Sequence, residues 1–259
     1  MTPLVIASLF IPLAGTTIGS ALVFFLKKDI NPKLQKILLG FASGVMIAAA
    51  IWSLLQPAID SYTQPGDFRR WLIPAIGFMV GVGFLLFLDF IVPHIHIDKQ
   101  EEGVKNNKLS RMFKLMLAVT LHNIPEGLAF GVVVASMLSG NTNETAVLAL
   151  AIGIAIQNLP EGLIVSMPMK EEGASKWKAF LFGFLSGVVE PIAALLAILL
   201  LSFVNVILPA TLAFAAGAMI YVVVEELIPQ ANEGSHSNLA TIGVAVGFVI
   251  MMILDIALG

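Results

Sequence analysis

Two related six-residue words carry the groups in this sequence best suited to chemistry. The first reads His122-Asn123-Ile124-Pro125-Glu126-Gly127 and the second Gln157-Asn158-Leu159-Pro160-Glu161-Gly162. Each lies inside an apolar stretch, where a carboxylate costs roughly 3 kcal/mol or more unless something compensates its charge. His122 and Glu126 are four residues apart and share a helix face, as do Gln157 and Glu161. Asn123 and Asn158 stand about 100° round from those faces, close enough to serve an adjacent site. Pro125 and Pro160 cannot donate a backbone hydrogen bond. They free the carbonyls of Leu121 and Ile156 one turn earlier. Imidazole, carboxylate and amide are cation ligands. Without thiolate they suit Zn²⁺ and other divalent first-row ions better than Mg²⁺ or Ca²⁺.

The elements that must hold these residues follow from composition. Of 259 residues, 58% are hydrophobic and only 12% are charged, and mean hydropathy is +0.94. A soluble domain is about 25% charged, so the chain belongs in a membrane. It has no cysteine, which excludes thiolate metal sites, disulfides and thiol catalysis. Eight apolar stretches of about 20 residues are expected to cross the bilayer as helices. They lie at roughly 4–26, 34–56, 71–93, 112–138, 144–168, 178–203, 207–229 and 238–258, here numbered spans 1 to 8. The first lacks a basic leader and an evident cleavage site, and reads as a span. The connections are short except for the polar segment of about 94–111. Residues 1–259 therefore read as one all-α transmembrane domain.

The basic residues orient it. Lys27, Lys28, Lys33 and Lys36 flank the first connection. Lys99, Lys105, Lys108, Arg111 and Lys114 belong to the third, and Lys170, Lys176 and Lys178 to the fifth. Only Arg69 and Arg70 fall on the other side. The positive-inside rule then places both termini outside the cytoplasm.

Repeats extend beyond the word. Phe41, Gly44, Met46 and Ile47 of span 2 match Phe214, Gly217, Met219 and Ile220 of span 7. Gly77, Gly81 and Asp89 of span 3 match Gly243, Gly247 and Asp255 of span 8. Spans five apart run in opposite directions, as do the adjacent spans 4 and 5. The pattern is that of an inverted-repeat transporter, spans 1–3 against 6–8 and span 4 against span 5, with its site near the midplane.

The spans hold the acids Asp89, Glu126, Glu161, Glu190, Glu225, Glu226 and Asp255, with no Lys or Arg in their central parts. The compensating charge should therefore be a cation or a proton. Glu126, Glu161 and Glu190 fall near the membrane centre at about 1.5 Å per residue. Asp89, Glu225 and Glu226 lie toward the cytoplasmic ends of their spans, joined by His94 and His96 in the following loop. Asp60 and Asp255 lie toward the outside. The acids thus string out along a cation pathway.

With these residues in view, the chain resembles the ZIP (Zrt-, Irt-like) metal transporter family, in its GufA-like branch. The two words look like that family's span 4 and span 5 signatures, and the resemblance covers all eight spans. It implies a binuclear centre. His122, Glu126, Gln157, Glu161 and Met46 would form the transport site. Asn123, Asn158 and Glu190 would form a second one, with Glu126 and Glu161 bridging. Many relatives carry a second His where Gln157 stands, and some an acid where Asn158 stands, so selectivity for zinc and occupancy of the second site are open. Met219, the repeat partner of Met46, joins the pathway set.

The expected function is uptake of a divalent metal into the cytoplasm. Zn²⁺ is the first candidate and Fe²⁺, Mn²⁺ and Cd²⁺ are further ones. The alternative is a proton- or sodium-coupled carrier of another small solute. An intramembrane zinc hydrolase needs two zinc-binding His and a base, and His122 is the only His in a span centre, so no enzyme is expected. The expected setting is a prokaryotic cytoplasmic (inner) membrane, with metal ions and lipid as partners and no nucleic acid. Small residues along the helices make a homodimer compatible with the sequence. Sliding or rocking of one repeat bundle and a channel-like path fit it equally.

Overall fold

The computed structural model describes residues 2–25, 31–64, 66–92, 94–95, 101–102, 111–171, 173–203, 207–234 and 237–258. Among the described residues, eight helices are long and apolar enough to cross a membrane: Pro3–Phe24, Pro32–Asp60, Arg69–Ile91, Val119–Leu138, Glu144–Lys170, Lys176–Leu200, Leu208–Asn232 and Leu239–Leu258. They coincide with the eight expected spans. The helix of span 4 begins earlier, at Arg111. Beyond the helices, the described residues contain one antiparallel pairing of two residues each, His94–Ile95 with Glu101–Glu102.

Several spans are not uniform helices. Span 1 breaks after Ser8 and resumes at Ile11, with Pro12 at its new start. Span 2 passes through a π-segment at Ala50–Leu55, and span 7 through another at Val223–Leu227. A π-turn inserts a residue and rotates the following side chains relative to the preceding ones. In both spans a proline follows immediately, Pro57 and Pro229, where the helix restarts and needs no N–H. Phe41 and Phe214 are matched residues, and the two π-segments begin equally far beyond them.

Helix pairing is set by glycine. Without Cβ, a glycine admits a neighbouring backbone to van der Waals contact. Gly44 of span 2 faces the carbonyl of Val244 in span 8, and Gly217 of span 7 faces that of Phe78 in span 3. Gly81 faces Phe214 O, and Gly247 faces Phe41 O. Each of these is the repeat counterpart of the other, so spans 2 and 8 pack as spans 7 and 3 do. In the second group, Gly15 and Gly19 of span 1 face backbone of span 5, while Gly127 and Gly131 of span 4 face backbone of span 6. Spans 1, 4, 5 and 6 thus pack together, as do spans 2, 3, 7 and 8. Span 2 on span 5 and span 7 on span 4 join the two groups. Most of the apolar core lies at this junction, where Met46, Leu54, Phe130, Leu150, Leu212 and Met219 are fully buried.

Candidate metal centre

Spans 4 and 5 lie side by side and bring the two words together. Gln157 Nε2 donates a 2.7 Å hydrogen bond to Glu126 Oε1. Gly127 seats span 4 on the backbone of Glu190 in span 6, and Gly162 seats span 5 on the carbonyl of Thr16 in span 1. Span 6 is interrupted at Val188, whose N–H is shared between the carbonyls of Phe184 and Leu185. Its helix restarts at Val189. Glu190 therefore occupies a first turn, where the helix dipole favours an anion. Pro191 follows there without leaving a donor unsatisfied. Thr16 Oγ1 donates to Glu190 Oε1 at 3.0 Å.

The amides are tethered by their nitrogens. Asn123 Nδ2 donates to the carbonyl of Ser186 at 2.8 Å, and Asn158 Nδ2 to that of Pro12 at 3.3 Å. With Gln157 Nε2 spent on Glu126, the amide oxygens of all three residues remain. Asn123 Oδ1, Asn158 Oδ1, Gln157 Oε1, Glu126 Oε2 and Glu190 Oε2 are all buried with no hydrogen-bond partner. Every one is an acceptor. A buried acceptor left alone costs about 1–3 kcal/mol, and more when charged. Five together on three spans form a cluster that lacks a positive charge or a donor.

The carboxylates are also close to one another. Glu126 and Glu190 each feel the charge of Glu161, and Glu126 also that of Glu190. Asn158 lies against both Glu126 and Glu190. His122 lies on the other side, its Nε2 3.1 Å from Glu226 Oε1, and it feels Glu161 and Asp89 as well. Asp89 in turn accepts a hydrogen bond from Tyr221 Oη. Among the described residues, no three His, Asp or Glu side chains surround one common point as ready metal ligands. His122 is engaged with Glu226 and Glu126 with Gln157, so an ion must displace contacts or recruit the amide oxygens.

A separate cavity lies between spans 2, 4, 5, 7 and 8. It encloses about 240 Å³ and is lined by Ser53, Ser136, Thr142 and Asp255 among apolar side chains. Ser53 Oγ donates to Asp255, 3.0 Å from each carboxylate oxygen.

The structure thus gathers most of the expected site residues and disperses others. His122, Asn123, Glu126, Gln157, Asn158, Glu161 and Glu190 are all buried and form the cluster. Met46 and Met219 are buried in the apolar core. Glu225 and Glu226, expected together near one membrane face, are separated: Glu226 is 2% exposed and meets His122, whereas Glu225 is exposed. Successive residues on a helix point about 100° apart, and only one can face the bundle interior. Asp89 is likewise interior, at 5% exposure. Asp60 ends span 2 at the surface, accepting from Gln56 Nε2 at 2.7 Å. His94 falls in the short strand pairing, and its side chain, like all of His96, lies outside the described residues. Thr16, Ser53 and Tyr221 complete the polar network and were not singled out from sequence. Their signal is weak, since hydroxyl side chains in membrane helices usually bond the preceding turn, as Thr17 does with Leu13 O.

The buried acceptors thus sit on paired helices inside a bundle long and apolar enough to span a membrane, and comparison with known proteins places that bundle in a family. The profile of the ZIP zinc transporter family matches residues 2–111 and 108–255. The zinc transporter GufA of Myxococcus xanthus is 37% identical, covering 95% of this chain and 96% of its own length. The zinc transporter ZIPB of Bordetella bronchiseptica is 36% identical, over 95% and 78% of the respective chains. Zinc transporter ZIP11 of Xenopus tropicalis is 37% identical, over 94% of each. The chain is a multi-pass membrane protein and belongs to the ZIP zinc transporter family.

Proposed function

We propose that the protein carries Zn²⁺ across a prokaryotic cytoplasmic membrane into the cell, with Fe²⁺, Mn²⁺ and Cd²⁺ as further cargoes. The observation that carries this reading is the group of five buried oxygens without donors, on spans with no Lys or Arg in their central parts to neutralise them. A dehydrated divalent ion supplies what they lack. Its ligands would be His122, Glu126, Gln157 and Glu161 at the transport site, with Asn123, Asn158 and Glu190 at a second site bridged by Glu126 and Glu161. Gln157 would bind through its free oxygen, because its nitrogen is held by Glu126.

The direction follows from charge. With the basic connections in the cytoplasm and both termini outside, the cavity beside Ser53 and Asp255 opens outward and draws cations toward it. Asp89 and Glu226 then stand on the inner side, where Glu226 takes over His122 once the ion leaves. The matched pairings of spans 2 with 8 and 7 with 3 support the inverted repeat behind this scheme.

Zinc flux into proteoliposomes tests the reading. Wild-type protein should accumulate zinc, and Glu161→Ala should not, while eluting and melting as the folded wild type does. Undiminished flux in that variant sinks the assignment.

A further inference from the structure

A second cavity, larger than the polar one, has no part in this scheme. It encloses about 680 Å³ where the end of span 2 meets the start of span 3. Leu55 and Ile59 form one wall, and Trp71, Pro74, Phe78 and Met79 the other. The π-segment ending at Leu55 and the proline inside span 3 shape it. Pro74 removes the bond that the Arg70 carbonyl would otherwise accept, which lets the helix bend. Trp71 and Met79 are each 65% exposed, so the groove faces the surroundings of the bundle.

Its dimensions match a lipid chain. Asp60 and Arg69 are joined by a short connection, so the groove opens at a membrane face whichever way the chain is threaded. From Arg70 to Met79 it descends about 13 Å, close to the roughly 15 Å of one leaflet's hydrocarbon. Both signs of charge line its mouth, since Asp67 and Arg70 belong to the wall. Asp67 is paired with Arg69 at 2.8 Å. Arg70 is half-exposed and reaches Asp60 only at 3.7 Å, leaving most of its five donors for another oxyanion. Two arginines and two aspartates sum to zero. An anionic headgroup gains nothing from the net field, whereas a zwitterionic one finds a partner for each end.

We propose that this groove is a binding site for a phospholipid with a primary ammonium headgroup, of the phosphatidylethanolamine type. One acyl chain lies between Leu55 and Met79, the phosphate is on Arg70 and the ammonium on Asp60. Asp60 is exposed and held by Arg70 only at 3.7 Å, whereas Asp67 is saturated by Arg69. Leu55 and Ile59 share their stretch of span 2 with Ser53 and Pro57 of the polar opening. The lipid therefore braces the helix on which that opening is built.

Native mass spectrometry of delipidated protein offered phosphatidylethanolamine, phosphatidylcholine or phosphatidylglycerol tests the site. One phosphatidylethanolamine per chain should be retained roughly tenfold better than either of the others, the scale of one charge-assisted hydrogen bond. Ala75→Trp fills the groove from an exposed position, and Arg70→Gln removes the phosphate partner. Each should bring phosphatidylethanolamine down to the level of the other two. Equal retention of all three lipids by wild type, preference for phosphatidylglycerol, or full retention by Ala75→Trp overturns the proposal. So does disulfide linkage of two copies through Ala75→Cys, the sole cysteine in that variant, which would show a second copy in the groove.

Discussion

Gln157 Nε2 and Glu126 Oε1, 2.7 Å apart, tie one copy of the repeated word to the other. The bond sets which atom of Gln157 is available, since its nitrogen is committed and its oxygen is not. A histidine there would present a ring nitrogen to the ion instead, and imidazole is the better zinc ligand. Gln157→His should lower the zinc concentration for half-maximal flux severalfold and sharpen preference for zinc over Mn²⁺. Competition assays in proteoliposomes read both effects.

Thr16 makes a second prediction. It lies on span 1, outside either word, and holds Glu190 by one hydrogen bond. Hydrogen bonds to charged groups contribute about 1.5–3 kcal/mol. Thr16→Val keeps the shape and removes the donor, so zinc flux should fall by roughly tenfold or more in a protein that still folds. Thr16→Ser should restore it. If the valine variant transports like wild type, the bond has no part in function.

Asp255 and Ser53, hydrogen-bonded at the polar cavity, carry a third prediction. A carboxylate at the mouth of a cavity raises the local concentration of cations, an effect that salt screens. Asp255→Asn should raise KM for zinc several-fold with little change in the maximal rate, and the difference from wild type should shrink as NaCl is added. Loss of the maximal rate alone would move Asp255 from an attracting role to an essential step.

The glycine pairings predict stability. A Cβ at Gly44 or Gly217 would collide with the carbonyl of Val244 or Phe78, whereas one at Gly83 meets nothing within 4 Å. Gly44→Ala and Gly217→Ala should each cost about 1–3 kcal/mol through forced separation of helices. Gly83→Ala should be neutral or slightly stabilising. Thermal melts in detergent distinguish them.

Apolar length alone places eight helices, because the bilayer demands about 20 residues each. The matched glycines of spans 2, 3, 7 and 8 mark their later partners, and the two words mark the polar residues that come together in the interior. Sequence periodicity did not say which of Glu225 and Glu226 faces inward, because a π-segment shifts the helix phase locally. Nor did it reach Thr16, whose partner is 174 residues away. Hydroxyl groups carry no pattern until the helices that bring them together are packed. The breaks of span 1 near Pro12 and of span 6 at Val188 were equally hidden, since each falls within a continuous apolar stretch.

The tethering of Asn123 and Asn158 has one more consequence. Their nitrogens are held by the main-chain carbonyls of Ser186 and Pro12, not by side chains. No substitution at position 186 can delete that acceptor, because every amino acid supplies a carbonyl, and the same is true at position 12. The freedom of both buried amide oxygens is therefore hereditary with the backbone. A lineage with this fold can exchange the groups that choose the ion, as at position 157, without rebuilding the frame that holds its neighbours in place.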